Sequence, residues 1–422
     1  MDMYNTSTTS PEPGVYITDF SKGTYSIEGV NTSVTAFIGL AKKGPTNKPI
    51  KISSFAEFEK IFGSIHKAYH LGYCVQHFFL NGGTVCYIIR VQSPDGKQYV
   101  SDKTIIGKAG VKSGGTGISS LDSIDYFNIL CIPPYNKKNT VSNTVYRNAL
   151  NYCERRRAIL IVDPPAHWSR NNSDKLPSVF EIEKIFGHLS YPNAALYYPR
   201  VRAKDSLDDD KMRTFVPSGA VAGIIARTDN TVGVWKAPAG LKAYLTGLSE
   251  LELTLTDEES GQLNELGVNC LRLKATEGII VWGSRTMVKN DTNSEPLRFW
   301  KYLPVRRLAL FIEESLYRGT QWVVCEPNDE PLWSKIRQKV GDFMHDLFIK
   351  EAFQGRKSNE AYFVKCDNDT TIPDDITNGI VNIIVGFAPL KPAEFVIIKI
   401  QQIAEKNSNH LRKIRPSRKN RN

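Results

Sequence analysis

The stretch "VSNTVYRNALNYCERRRAILIVDPP", Val141–Pro165, decides the fold class. Its first part reads as a helix, and its second is a continuous apolar run ending in a Pro-Pro turn. A short apolar run without polar alternation fits a strand buried on both faces, which is what a parallel sheet between layers of helices requires. The unit recurs outward from this point. "VCYIIRV", "FNILCIPP" and "AALYYPRV" are further apolar runs alternating with helical stretches. Such alternation predicts a mostly parallel sheet with helical crossovers, an α/β architecture.

Toward the amino terminus, "TSVTAFIGLA" is strand-like and ends at the turn "KKGP". "SSFAEFEKIFG" carries a helix start, because Ser54 and Glu57 have capping-box spacing and Phe55, Phe58 and Phe62 share a face. "AYHLGYCVQHFFLNGG" is a second helix, stopped by Gly82 and Gly83. Residues 95–120, rich in Gly, Ser and Lys, read as an exposed loop or small insertion. The pattern changes from about residue 286. "VRRLALFIEESLYRG" is a helix with Leu308, Phe311, Ile312 and Leu316 on one side, and "QWVVCEP" reads as a strand. "DEPLWSKIRQKVGDFMHDLFIKEAF" is a long amphipathic helix with Trp333, Ile336, Val340, Phe343 and Leu347 as its apolar stripe. "AYFVKCD", "GIVNIIVGFAPL" and "EFVIIKIQQIA" read as strands of an α+β unit.

Four segments follow: an amino-terminal arm over 1–22 whose residues 1–13 read as a flexible leader, an outer α/β domain over 23–285, an inner α+β domain over 286–404, and a basic tail over 405–422. The net charge of +10 is concentrated in that tail, which holds seven Lys or Arg against Glu405. Basicity is therefore a tail property. Seven cysteines stand singly in apolar segments and read as reduced thiols of a chain made in the cytosol. The opening, "MDMYNTSTTSPEPGVY", shows no basic or apolar region of a secretory signal, and no apolar run approaches the roughly 20 residues that span a bilayer.

Chemistry is sparse. No P-loop, dinucleotide fingerprint, G-x-S-x-G, H-E-x-x-H or C-x-x-C occurs. No cofactor is expected. His66, His70 and Cys74, with His77 nearby, have i, i+4, i+8 spacing. A rise of about 12 Å along one helix is too long for one ion, so they read as packing residues, not metal ligands. Asp163 and His167 stand at a strand end, where an α/β active site could form, although a turn role for Asp163-Pro164-Pro165 competes. Asp208, Asp209 and Asp210 read as a solvated acidic loop. The tail lacks the aromatic interleaving of a single-strand binder, and no nucleic-acid partner is expected.

The chain closely resembles contractile tail sheath proteins of phages, R-type pyocins and extracellular contractile injection systems. The resemblance rests on "PSGAVAGIIARTDNTVGVWKAPAG", "LNELGVNCLRLKATEGIIVWGSRTM", "WKYLPVRRLALFIEESLYRGTQWVVCEPNDEPLWSKIR", "AYFVKCD" and "GFAPLKPAEFVIIKI". "PGVYITDFSKGTYSIEGVNTSVTAFIGLAKKGPTNKPI" is similar to the sheath amino terminus. The match covers most of residues 11–404 in the family's order. It implies a structural protein, not an enzyme: a subunit stacked as hexameric rings in a helical sleeve around an inner tube, with baseplate and terminal cap proteins as further partners. The sleeve contracts from a metastable extended state and drives the tube through a target envelope.

The resemblance also implies assembly in the bacterial cytoplasm, within a tail-like particle that is retained or released. It implies that terminal strands complete the inner domain of neighbouring subunits. Val15, Tyr16 and Ile17 on one side, and Phe395, Val396, Ile397 and Ile398 on the other, fit that role, and pairing within one chain is the alternative. A helix of the inner domain is expected to face the tube by charge. Lys335, Arg337 and Lys339 are the candidates, with a merely solvated face as the competing reading. The alternative from another class is an α/β hydrolase using Asp163 and His167.

Overall fold

A computed structural model describes residues 26–93, 96–110, 114–168, 176–186, 190–288, 295–390 and 396–403. The first elements are β1 (Thr35–Gly39), β2 (Ile50–Ile52), α1 (Phe55–Phe62), α2 (His70–Leu80), β3 (Cys86–Arg90), α3 (Asp102–Ile106) and β4 (Ile129–Cys131). Next come α4 (Asn143–Arg155), β5 (Ile159–Val162), α5 (Val179–Phe186), β6 (Ser190–Tyr191), β7 (Ala194–Tyr198), β8 (Val201–Asp205) and β9 (Lys211–Phe215). They are followed by α6 (Ser218–Thr231), β10 (Glu250–Leu251), α7 (Asp257–Glu265), β11 (Val268–Lys274), β12 (Gly278–Val281) and β13 (Met287–Val288). The chain continues with α8 (Glu295–Arg298), α9 (Leu303–Gly319), α10 (Glu330–Ile349), α11 (Ser358–Ala361), β14 (Tyr362–Lys365), α12 (Pro373–Thr377), β15 (Ile380–Phe387) and β16 (Val396–Ile403).

The main sheet has eight strands in the order β12-β11-β7-β5-β4-β1-β3-β2. Neighbours from β3 through β11 are parallel, while β2 and β12 close the two edges antiparallel. The expected mostly parallel α/β sheet is therefore present. Its strands are apolar on both sides because each face is covered. Leu130, Leu160 and Val162 point into one core with α4 and α5, and Ile129, Cys131, Ile159 and Ile161 into the other with α1, α2 and α6. Ser54 caps α1, its hydroxyl accepting from the Glu57 N–H at 3.2 Å.

The close approach of α2 to α6 depends on two glycines one helical turn apart. A Cβ on Gly219 would stand 2.2 Å from the Cys74 carbonyl oxygen, and one on Gly223 would stand 2.5 Å from that of Phe78. Small residues in "SGAVAGIIA" let the two backbones touch.

A third core gathers α9, α10, β14 and β15, with Ile336, Val340, Met344, Ile383, Val385 and Phe387 at its centre. The sheet here is β14-β15-β16, antiparallel throughout. Ile27 and Val234, placed by sequence in the outer domain, pack into this core. Ile27 lies against Gly319, where a side chain would collide with it.

Two readings of the sequence need correction. Within residues 95–120, read as an exposed loop or a small insertion, the described residues form α3 and the start of a 3-10 turn over Gly117–Ser123 and bury Ile105 and Ile118 in the first core, so this part is not an exposed loop. Ile105 and Ile118 are too isolated for a visible period, yet both are buried in the first core. "QWVVCEP" is not a strand. Gln321–Val323 form a 3-10 turn continuing from α9, and Cys325 takes a left-handed φ of 74°, which breaks extended geometry.

Candidate functional site: a strapped helix and an edge strand

Helix α9 begins "LPVRRLALFIEES", and its burial explains an arginine pair inside an apolar helix. Arg307, Phe311 and Ser315 are spaced by four, so they share one face. Residues 27–32 run along that face. Gly29 leaves room for the Phe311 ring, and the Val30 N–H donates to Ser315 Oγ at 3.1 Å. Arg307 then makes two parallel bonds to Asp229 of α6, Nη1 to Oδ1 at 2.8 Å and Nη2 to Oδ2 at 2.5 Å. Its Nη2 also donates to the Thr32 carbonyl at 2.9 Å, while the Thr32 hydroxyl donates to Asp229 Oδ2 at 2.6 Å. This node joins the amino-terminal segment, α6 and α9, with all its charges withdrawn from water.

Sequence reasoning missed the node. The available signal was the four-residue spacing, which puts Arg307 on the apolar face where a charge needs a partner. Outside it, Arg306 Nε donates to Asn193 Oδ1 at 3.0 Å, Arg157 bonds Glu314 at 3.0 Å, and Arg318 bonds Glu314 at 2.7 Å. The Arg306 and Arg157 contacts fix α9 to the turns at the amino ends of β7 and β5, and Arg318 closes on Glu314 within the helix.

The strand β16 lies at the edge of its sheet. Val396, Ile397 and Ile398 pair with Phe387, Gly386 and Val385 of the same chain. The far edge of β16 faces no strand among the described residues. Val15, Tyr16, Ile17 and Phe395 lie outside the described residues.

On α10, Lys335 is exposed and Lys339 is half-buried. Arg337 is held inward, its Nη2 donating to Glu330 Oε1 and its Nη1 to the Cys366 carbonyl. That grip ties the first turn of α10 to the end of β14, so the Arg337 charge is answered within the chain. The helix starts at Asp329, whose side chain accepts from the Leu332 N–H at 3.1 Å.

The candidate hydrolase pair does not come together. Asp163 is 3% exposed and sits beneath the start of α6, Oδ1 accepting from the Ser218 N–H at 2.9 Å and Oδ2 from its hydroxyl at 2.7 Å. Burial pushes its carboxyl up to about 7, against the pull of the two Ser218 bonds and Arg200. His167 points into solvent, 4.0 Å from Glu181. The buried carboxylate is engaged with Ser218 and the exposed imidazole stands by Glu181, so each has a different partner and neither holds the other. Of the histidine set, His66 stacks on Tyr69, and Cys74 faces Ser218 at 3.9 Å. His77 is enclosed beside Phe215, and burial lowers it to about 4.

The sequence matches the phage tail sheath protein central domain over residues 111–287 and the phage tail sheath C-terminal domain over residues 298–403. The tail sheath protein of Burkholderia phage BcepMu is 26% identical over 268 residues, covering 61% of this chain and 54% of that protein. That of Enterobacteria phage T4 is 25% identical over 167 residues, covering 38% and 23%. The chain thus spans between 20% and 54% of the length of the curated relatives it matches. Among solved structures, the contracted helical sheath of the anti-feeding prophage superposes with a TM-score of 0.68 at 26% identity, covering 94% of this chain and 100% of that one. A chain of the anti-feeding prophage baseplate superposes with a TM-score of 0.66 at 25% identity, covering 93% and 99%. With both sheath domains in order and the whole fold shared, the chain belongs to the contractile tail sheath family.

Proposed function

We propose that this chain is the structural subunit of a contractile sheath. Copies stack as hexameric rings in a helical sleeve around an inner tube, bounded by a baseplate and a terminal cap. Assembly occurs in a metastable extended state, and contraction repacks the subunits and drives the tube through a target envelope. Stored conformational free energy powers the step. No described helix is long and apolar enough to cross a membrane. The subunit is made and assembled in the bacterial cytoplasm, within a tail-like particle.

The observation that carries this reading is the edge strand. β16 is eight residues long and rich in Ile, and its outer edge has no described partner. A long apolar edge invites another strand. In the sleeve, β16 exchanges its own β15 for the same position on a neighbour's β15, and Val15–Phe20 of another copy adds to its outer edge, so that both arms keep neighbours joined as the bodies move. Residues 27–32, strapped along α9, set where the amino-terminal arm leaves the body. Lys335 is the best-placed cation of α10 for the tube.

Electron microscopy of the full chain, co-expressed with its tube protein, tests this beside a deletion of residues 1–22. Sleeves from the full chain and only isolated subunits or rings from the deletion are expected. Sleeves from both would remove the amino-terminal arm from the account. Discrete particles from the full chain with tube present would overturn the sheath reading.

A further inference from the structure

Three sequence segments that carry the family resemblance, beginning at Trp235, Trp282 and Lys301, converge on one groove of about 410 Å³. "WKAPAG" supplies Lys236, "WGSRT" supplies Trp282, Ser284 and Arg285, and "KYLP" supplies Tyr302. The walls are held by backbone. Arg285 bridges Tyr302 antiparallel, the Leu303 N–H donates to the Ser284 carbonyl at 3.1 Å, and the Gly240 N–H to that of Val281 at 2.9 Å.

The lining is unusual in its charge. Trp282 is 44% exposed, with the Lys274 ammonium 4.8 Å from its ring centre. The Lys301 ammonium sits 5.4 Å from the Tyr302 ring. Among the described residues no carboxylate lines the groove. Burial, and then the neighbouring Arg285, hold the Lys301 ammonium below its ordinary range, the mark of cations crowded together without an acid. The Ser284 hydroxyl is buried and has no hydrogen-bond partner among the described residues. Lys236 and Arg285 line the groove, Arg285 also donating to the Asn264 carbonyl at 2.6 Å, and Lys274 and Lys301 stand over the Trp282 and Tyr302 rings beside it; this suits a segment with carboxylates and an apolar side chain.

The chain carries such a segment elsewhere. The β8–β9 turn, "DSLDDDK", presents Asp209 and Asp210 to solvent and Leu207 at 49% exposure. It is a built turn. Asp205 at its base accepts from the Tyr73 hydroxyl at 2.9 Å, from Arg213 at 2.9 Å and from the Leu207 N–H at 3.0 Å. Lys67 holds Asp208 at 2.5 Å. These anchors hold the tip against Lys67 and Tyr73, at the α1–α2 link and the start of α2, and no residue of the tip lines the groove of its own chain.

We propose that the groove receives the acidic β8–β9 tip of a second copy of this chain. A surface and its complement at separate places on one chain join head to tail, a contact that repeats along a lattice without closing as a dimer. The inference rests on the sheath reading and names one of its subunit contacts.

The test uses full chains with two charges of one side reversed. Lys236→Glu with Lys301→Glu offsets Arg285 and Lys274 and leaves the groove and its border without net positive charge, and Asp209→Lys with Asp210→Lys gives a basic tip. Sedimentation at low salt should show each variant associating with itself at least about tenfold more weakly than it associates with the other, and the effect should vanish at high salt. If the two variants associate with each other no better than each does with itself, the contact is overturned. Micrographs with tube protein separate the two failures. Sleeves from the unmodified chain, with no preference between the variants, leave the sheath and remove the contact, whereas absence of those sleeves removes the sheath reading itself.

Discussion

Arg307 of α9 and Asp229 of α6 face each other as a two-point ion pair with side chains only 3% and 2% exposed. A pair so enclosed loses its hydration on both sides, and its attraction is offset by that loss. Removing one partner is a different matter, because the other charge then stays buried and alone. Asp229→Leu or Arg307→Met should each cost about 3–5 kcal/mol in denaturant unfolding. The double change to Arg307→Met and Asp229→Leu should recover most of that, measured as a double-mutant cycle. Costs that simply add would show that the two groups act independently.

The contact between α2 and α6 makes a second expectation. Gly219 has the Cys74 backbone, which cannot swing aside, where its side chain would go. Gly219→Val should therefore destabilise by about 2–4 kcal/mol, while the same change at Gly261, whose added Cβ meets nothing, should cost about 1 kcal/mol or less. Thermal unfolding of the two variants compares them directly. Equal shifts would mean that the helices separate easily.

Asp163 gives a pH dependence with a defined sign. Its folded value is near 7, above the ordinary 3.8, so the folded state holds the proton more tightly than the unfolded chain. The associated stability is complete below the unfolded value and is lost as pH rises toward 7, by on the order of 1 kcal/mol per pH unit. His70 and His77 work the other way. Burial lowers them to about 3 and about 4, so their share is present above about 6.5 and is lost as pH falls through those values. Since these slopes oppose, the informative quantity is a difference. Asp163→Asn should gain on the unmodified chain steadily between pH 4 and pH 7, in paired urea titrations. A difference that does not change with pH would show that Asp163 ionises without cost.

The fold was legible where a residue's type alone fixed its surroundings. Ile159–Val162 and Ala194–Tyr198 are apolar at every position, which only a strand covered on both faces can use. The stripe Trp333, Ile336, Val340, Phe343 and Leu347 is buried in α10 as its period requires. Reading failed where distant contacts overrode local pattern. Ile105 and Ile118 lie among Gly and Lys, yet are buried by α4, and Val323-Val324 has strand composition but follows a helix end that leaves no ladder to join. At the functional surfaces, spacing showed which face a cation occupies without showing what it touches. Lys335 and Arg337 are both candidates by sequence, on opposite flanks of α10, and the placement of Glu330 and Cys366 decides between them.

That separation yields the last expectation. If α10 meets the tube by charge, reversal at Lys335 should weaken tube capture without disturbing the subunit, since this side chain is exposed. Reversal at Arg337 removes the tie to the Cys366 carbonyl and sets two acids, the new one and Glu330, side by side. Lys335→Glu should then lower co-sedimentation with tube protein several-fold at low salt and leave the unfolding midpoint within about 0.5 kcal/mol. Arg337→Glu should lower the midpoint by about 1–3 kcal/mol, because a bond to a partly buried carbonyl is lost. The outcome that matters is the pairing of readouts. Tube capture unchanged by Lys335→Glu would assign that face of α10 to solvent, and the charge that meets the tube would have to be sought on another element.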